Sequence, residues 1–350
     1  MSVLVPSDAE PVAPVGGFFE RHDPDDAPGG PSVLEAWTGD RAWAAFVNAR
    51  SAFAALVGTL PGATIWLPAF VCGDLVDPSF ADRVRFYPVG EGFAPDLAGV
   101  EPGMVAGDLV LFVAWFGQPV GPGVQAFARR RTDLHIVEDR AQALAVGPAS
   151  DNGWTLYSPR KLLGVADGGL LVAPAGPATL PRPDTSPDSA ALWRAPLLRH
   201  DDPLGRNNAV WHIVNQGKEA AMAVTSEAMT ERSLAILSRT SLSSLVGPRL
   251  ANWRLLDRAL HRWSVLPANL AVPSLGYVLK LEPDARDAVL TDLHAYRIFA
   301  AVHWPSIAGP AQDFPRETQW TRELITLPCD HRYGEADMVR MARRVEALLT

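Results

Sequence analysis

Cysteine is scarce in this chain: only Cys72 and Cys329 occur among 350 residues. Two thiols cannot build a disulfide framework or a structural zinc site, and they suit a reducing, cytoplasmic setting. Basic charge is also in short supply. The 31 Lys and Arg against 39 Asp and Glu leave a net charge of -8, which argues against nucleic acid as a partner. The one compact basic run, Arg129-Arg130-Arg131, reads as the solvated last turn of a helix. No apolar run approaches the roughly 20 residues needed to span a bilayer, so no membrane partner is expected. Met1 to Glu10 have neither a basic segment nor an apolar core, so they are not read as a signal peptide. The eight histidines lack metal-ligand spacing, and no metal site is expected. Walker loops, dinucleotide fingerprints and Gly-x-Ser-x-Gly elbows are missing as well.

Apolar residues, by contrast, make up 48% of the chain, enough for a full-sized core. Residues 1–33 are rich in Pro, Gly and Asp and read as an irregular arm, with a partner subunit as one surface it could pack on. From Asp40 to Leu60, Trp43, Phe46, Val47, Phe53, Leu56 and Val57 follow a helical period, and Pro61-Gly62 ends it. Short strands are expected at Thr64–Pro68 and Arg83–Pro88, with a helix from about Gly73. Asp108–Trp115 is a nearly continuous apolar strand, suited to a sheet covered on both faces. It leads through Gly117–Gly123 into a helix at Val124–Arg131 and then a strand at Leu134–Glu138. Such short links imply a parallel βαβ crossover. Residues 34–190 thus read as a large α/β domain with a mostly parallel sheet. Residues 191–263 read as a helical connection, and 264–350 as a smaller α+β domain closed by a helix at Glu335–Leu349.

The candidate chemistry lies in two neighbouring stretches. Ile136-Val-Glu-Asp139-Arg-Ala-Gln142 is a strand ending on an acidic pair, where open parallel sheets bind their ligands. The second is Ser158-Pro-Arg-Lys161-Leu-Leu-Gly164, whose Lys161 lies 22 positions after Asp139 (161 minus 139). It carries a lysine between apolar residues. Burial would lower the pKa of that lysine and make its amine nucleophilic. An amine and a carboxylate facing one crevice are the minimum for holding pyridoxal phosphate, which needs a Schiff-base lysine and an acid at its pyridinium nitrogen. The plainer readings are a surface-loop lysine, a strand-end N-cap at Asp139 and a turn-closing Gln142. Asn48-Ala-Arg50-Ser51 could cradle a phosphate if a helical turn begins there, or could be a helix interior of small packing residues.

In order along the chain, these segments resemble the DegT/DnrJ/EryC1/StrS family of sugar aminotransferases. The resemblance covers most of the chain. It rests on Ala49-Arg-Ser-Ala-Phe53, Leu67-Pro-Ala-Phe-Val-Cys72, Phe116-Gly-Gln-Pro119 and Val137-Glu-Asp-Arg-Ala-Gln-Ala143. Ser158-Pro-Arg-Lys161, Asp167-Gly-Gly169 and Leu327-Pro328 complete it. The family implies a pyridoxal-phosphate enzyme of fold type I that moves an amino group from a donor onto a keto sugar, often nucleotide-linked, in polysaccharide or secondary-metabolite biosynthesis. It also implies a homodimer with its sites at the interface. By resemblance, Lys161 is the catalytic Schiff-base lysine and Asp139 the partner of the pyridinium nitrogen. Gln142 would contact the ring hydroxyl, and Ser158 with Arg50 and Ser51 the phosphate. Cys72 stands where many members place an aromatic against the ring, and Arg160 and Trp304 become candidate substrate contacts. The chain departs from the pattern in a lysine loop two residues shorter and in Arg140, which sets a cation directly after the acid. Another pyridoxal-phosphate reaction and a cofactor-free binding scaffold are the alternatives.

Overall fold

The computed structural model describes residues 12–24, 29–145, 147 and 149–350. Part of the N-terminal arm therefore lies outside the described residues. Of the rest, β1 (Val15–Gly16) pairs in parallel with a strand near the C-terminus, and Glu20 bonds ionically to Arg199 and Arg332, each at 3.0 Å. These residues pack on their own chain.

Helix α1 (Val33–Thr38) starts at a capping box between Ser32 and Glu35. The stretch expected to be one helix from Asp40 divides instead. Trp43–Phe46 is strand β2, and α2 (Ala49–Gly58) begins only after Asn48, whose side chain accepts from the Ser51 amide. Four residues of alternating burial are too short to separate period 2 from period 3.6, and Asn48 is the N-cap signal that marks the boundary. Strands β3 (Ile65–Pro68) and β4 (Val84–Tyr87) follow. The helix expected from Gly73 is a single 3-10 turn, Gly73–Leu75.

Strand β5 (Leu109–Val113) is buried at every residue. Helix α3 (Pro122–Arg130) opens on a proline and ends on basic residues, as both helix termini favour. Strands β6 (His135–Asp139), β7 (Gly153–Tyr157) and β8 (Gly169–Val172) complete a seven-stranded sheet. Its order is β2-β8-β7-β6-β5-β3-β4. Strands β7, β6, β5, β3 and β4 are mutually parallel, while β8 runs antiparallel to both its neighbours. Both faces are covered, which explains why the central strands are apolar throughout.

Four helices then cross one side of the molecule: α4 (Ser189–His200), α5 (Asn208–Ala221), α6 (Glu231–Arg239) and α7 (Leu242–Leu260). The C-terminal part holds β9 (Tyr277–Lys280), α8 (Pro283–Ala295), β10 (Ile298–Phe299), α9 (Pro315–Glu323), β11 (Leu324–Leu327) and α10 (Glu335–Leu349). There β9 and β11 pair antiparallel, and β1 pairs with β10. A separate core of Trp253, Leu256, Tyr277, Ile325, Met338 and Val345 holds this part together.

Candidate active site

The sheet register brings Val113, Asp139 and Leu156 side by side at the carboxyl ends of β5, β6 and β7. A cavity of about 180 Å³ opens at this edge. Its walls contain Lys161, Asp139, Gln142, Ser158, Arg50, Cys72, Arg160 and Trp304, all candidates from the sequence. Two roomier cavities, about 480 and 580 Å³, contain no lysine. Chemistry rather than volume selects the smaller one.

Strand alternation sorts the acidic stretch. Asp139 faces the cavity and accepts from the Ala141 amide at 2.8 Å. Glu138 and Arg140 turn to the other face, where Arg140 Nη2 donates to Glu138 Oε2 at 2.7 Å and Nη1 to the Gly147 carbonyl at 2.7 Å and the Tyr157 hydroxyl at 3.2 Å. The cation expected beside the acid is thus spent elsewhere. Burial raises the Asp139 pKa above the usual aspartate range, against the opposing pull of Lys161 and the Ala141 amide. Burial likewise lowers the Lys161 pKa, with Asp139 opposing it. An amine whose protonated form is disfavoured is the nucleophilic form.

Gln142 is held from one end only. Its Oε1 accepts from the Phe116 amide at 2.7 Å, while its buried Nε2 has no hydrogen-bond partner. Such a donor is costly to leave unpaired. Phe116 itself sits at φ 54°, a conformation that bulky residues adopt only when surroundings impose it. Here Ser274 Oγ (2.7 Å) and the Leu275 amide (2.8 Å) both donate to its carbonyl.

The lysine loop is clamped on both sides. Asp167, fully buried, accepts from the Thr230 amide at 2.7 Å and the Thr230 hydroxyl at 2.8 Å, and from the Ser233 hydroxyl. Arg249 donates to the Leu162 carbonyl. Gly169 lets the α2 start press on β8: a Cβ there would lie 2.2 Å from the Asn48 carbonyl carbon. That approach delivers the first turn of α2 to the cavity, where Ala49 and Arg50 line the wall. Their amides belong to the set that a helix leaves without partners.

Ser51 is the exception among the candidates. It is buried behind the wall, its amide donating to Asn48 Oδ1 at 2.9 Å and its Oγ accepting from the Thr225 amide at 3.0 Å. Other groups were not legible as site residues. Glu219 lines the cavity and takes Arg160 Nη1 on both carboxylate oxygens at 2.8 Å. In the sequence it belongs to the helix-forming run Glu219-Ala-Ala-Met-Ala223, and no local signal marks it. Asn48 and Asp74 also line the cavity, and Asp74 lies 3.2 Å from Arg50.

The residues present suit pyridoxal phosphate at the ring end. A lysine disposed to be neutral, a buried carboxylate and an orphaned amide donor match the cofactor's aldehyde carbon, ring nitrogen and ring hydroxyl. Among the described residues no group of three or more His, Cys, Asp or Glu could hold a metal ion, and no helix is long and apolar enough to cross a membrane.

No family model matches the chain. A curated relative, the UDP-N-acetyl-3-dehydro-alpha-D-glucosamine 3-aminotransferase of Acidithiobacillus ferrooxidans, is 25% identical over 301 residues, covering 78% of this chain and 72% of its own. Among solved structures, a DegT DnrJ EryC1 StrS aminotransferase from Brucella abortus superposes with a TM-score of 0.60 at 18% identity, over 92% of this chain and 91% of that one. Helicobacter pylori PseC, an aminotransferase involved in the biosynthesis of pseudoaminic acid, gives 0.62 at 16% identity, over 90% and 88%. The chain therefore has the fold of the pyridoxal-phosphate-dependent, fold type I aminotransferases of the DegT/DnrJ/EryC1/StrS group.

Proposed function

We propose that this chain is a pyridoxal-phosphate-dependent aminotransferase that moves an amino group from an amino acid onto a keto sugar, carried on a nucleotide. The observation that carries this reading is the meeting of Lys161 and Asp139 at one cavity on the carboxyl edge of the sheet. The curated relative, named for its action on a UDP-linked keto sugar, supports the substrate class.

Bound pyridoxal phosphate would supply an electron sink conjugated to the reacting carbon. The chain's own residues would do the rest. Lys161 Nζ would hold the group and would carry a proton at the substrate carbon. Asp139 keeps the ring nitrogen protonated. Gln142 Nε2 would donate to the ring hydroxyl, and Ser158 with the first-turn amides of α2 would hold the phosphate. Trp304 lines the same cavity as Lys161 and would limit water there.

Operation as a cytoplasmic homodimer, in polysaccharide or secondary-metabolite biosynthesis, belongs to the same proposal.

The test is an absorption spectrum of the purified protein with added pyridoxal phosphate, beside Lys161→Ala. A visible band that borohydride bleaches, present only in the wild type, is expected. A wild type without that band would overturn the proposal. Glutamate with a UDP-linked 3-keto sugar, followed by product analysis, then tests the amino transfer.

A further inference from the structure

An aminotransferase reading of this cavity raises a problem of its own. One site must hold an amino acid, which carries a carboxylate, and then a sugar ring, which carries none at the reacting end. A guanidinium left bare in the wall suits the first ligand and is costly against the second, because a half-desolvated charge without a partner is unfavourable.

The wall holds an arrangement that meets both needs. Arg160, next to Lys161 in the chain, is already bonded to a carboxylate through both oxygens at 2.8 Å, and that carboxylate is Glu219. Both bonds come from Arg160 Nη1, and a guanidinium pairs readily with carboxylates, so the pair shows where an anionic ligand would sit. Glu219 also has a second cation at hand, with Lys218 Nζ 3.6 Å from its Oε1. Lys218 in turn is tethered to the Ala166 carbonyl at 3.3 Å. Glu219 can therefore leave Arg160 without becoming an isolated charge.

The segment that carries Glu219 has room to yield. Helix α5 buries only Trp211 among its 14 residues. Its C-terminal turns run between the Lys161 cavity and a second cavity of about 360 Å³ lined by Val214, Gly217, Lys218 and Met222. Beyond Glu219 it is tied to the α2 start by polar contacts, Arg50 to the Met222 carbonyl at 2.8 Å and Asn48 Nδ2 to the Ala223 carbonyl at 3.0 Å. With Glu219 in place the cavity measures about 180 Å³, below the roughly 300–1,000 Å³ usual for small-molecule sites.

We propose that Arg160 is the carboxylate subsite for the amino donor and that Glu219 is its internal substitute, displaced by the donor and restored when the keto acid leaves. In the second half of the reaction the restored pair presents a neutralised wall to the sugar. This inference rests on the aminotransferase reading and names how that site distinguishes its two substrates.

The experiment uses the cofactor-loaded protein and glutarate, a dicarboxylate without an amino group. Its affinity is measured by calorimetry for wild type, Glu219→Gln, Arg160→Lys and Arg160→Ala, with KM for glutamate measured alongside. The Arg160–Glu219 pair is partly solvated, with side chains 22% and 36% exposed. Removing the competing charge should therefore tighten glutarate and lower the glutamate KM by about five-fold, the size of a modest ion pair. Arg160→Ala should weaken both by at least about ten-fold. Arg160→Lys, which keeps the charge but not the fork, should fall between them. Unchanged glutarate affinity and glutamate KM in Glu219→Gln would overturn the proposal, as would unimpaired binding in both Arg160 variants. If the Lys161-dependent band never forms, the aminotransferase reading fails by itself. Glutarate binding to the same proteins then still decides whether Arg160 and Glu219 compete for a carboxylate.

Discussion

The two ends of the cavity are built differently. At the ring end, Asp139 and Gln142 come from one strand and the turn after it, and Gln142 Nε2 is buried without a partner. At the anion end, Arg50, Ser51 and Arg160 all find partners within residues 219–225. The ring end rests on a sheet packed on both faces and keeps its groups open to a ligand. The anion end rests on a helix that buries a single residue, and the chain satisfies it internally. A site can thus keep its chemistry on a packed sheet while leaving its specificity to a segment that buries little and is tied to the site by polar contacts.

Breaking the ring end should have the largest effect. Lys161→Ala removes the amine proposed to attach the cofactor and to move a proton, and single-turnover rates with glutamate should fall by about 10²–10⁴-fold. Retained turnover would remove Lys161 from the chemistry. Asp139→Asn keeps the shape but not the charge, and kcat should drop about a hundredfold. The visible band should persist in that variant, which separates loss of electron withdrawal from loss of attachment.

The join between the two ends can be strained as well. Gly169→Ala forces a methyl group against the Asn48 backbone, and overpacking of this kind costs about 1–3 kcal/mol in denaturant unfolding. A neutral result would mean that α2 can retreat from β8. Asn48→Ala removes both the cap on Ser51 and the bond to the Ala223 carbonyl. It should cost about 1 kcal/mol and increase amide exchange across residues 219–225, leaving exchange in β6 unchanged.

A separate effect is expected on acid stability. His303, bonded to Thr326 Oγ1 at 3.0 Å, has its pKa lowered to about 4 by burial and by the charge of Lys161. Between that value and its ordinary 6.5 the unfolded chain binds a proton that the folded chain refuses. Stability is therefore fully present above 6.5 and declines as pH falls toward 4. His303→Gln should flatten the fall of Tm over that window. An unchanged slope would place its origin elsewhere, with His331 the next group to test.

Legibility followed the length and type of signal. The β5-α3-β6 unit could be read because its strands are continuous apolar runs joined by short links. Strand β2 could not, being four residues with two alanines. Helix α9 (Pro315–Glu323) was missed because it is strongly polar. Its burial depends on partners far away in the chain, as when the Val89 amide donates to Glu317 Oε1 at 2.5 Å. Arg140 was legible as a residue but misplaced in space, although alternation along β6 puts it on the face of Glu138. The ring-end candidates lie within 22 positions of one another (161 minus 139), whereas Glu219 is 58 positions beyond Lys161 (219 minus 161).

The sequence by itself determined the α/β class and singled out the acid and the lysine that meet at one cavity, because a buried strand end and a short loop encode their own geometry locally. The tertiary structure alone decided that Ser51 lies behind the wall and that Glu219 reaches Arg160. Those outcomes depend on the packing of α2 against β8 and of α5 across the sheet edge. Contacts between elements so far apart in the chain leave no local pattern to read.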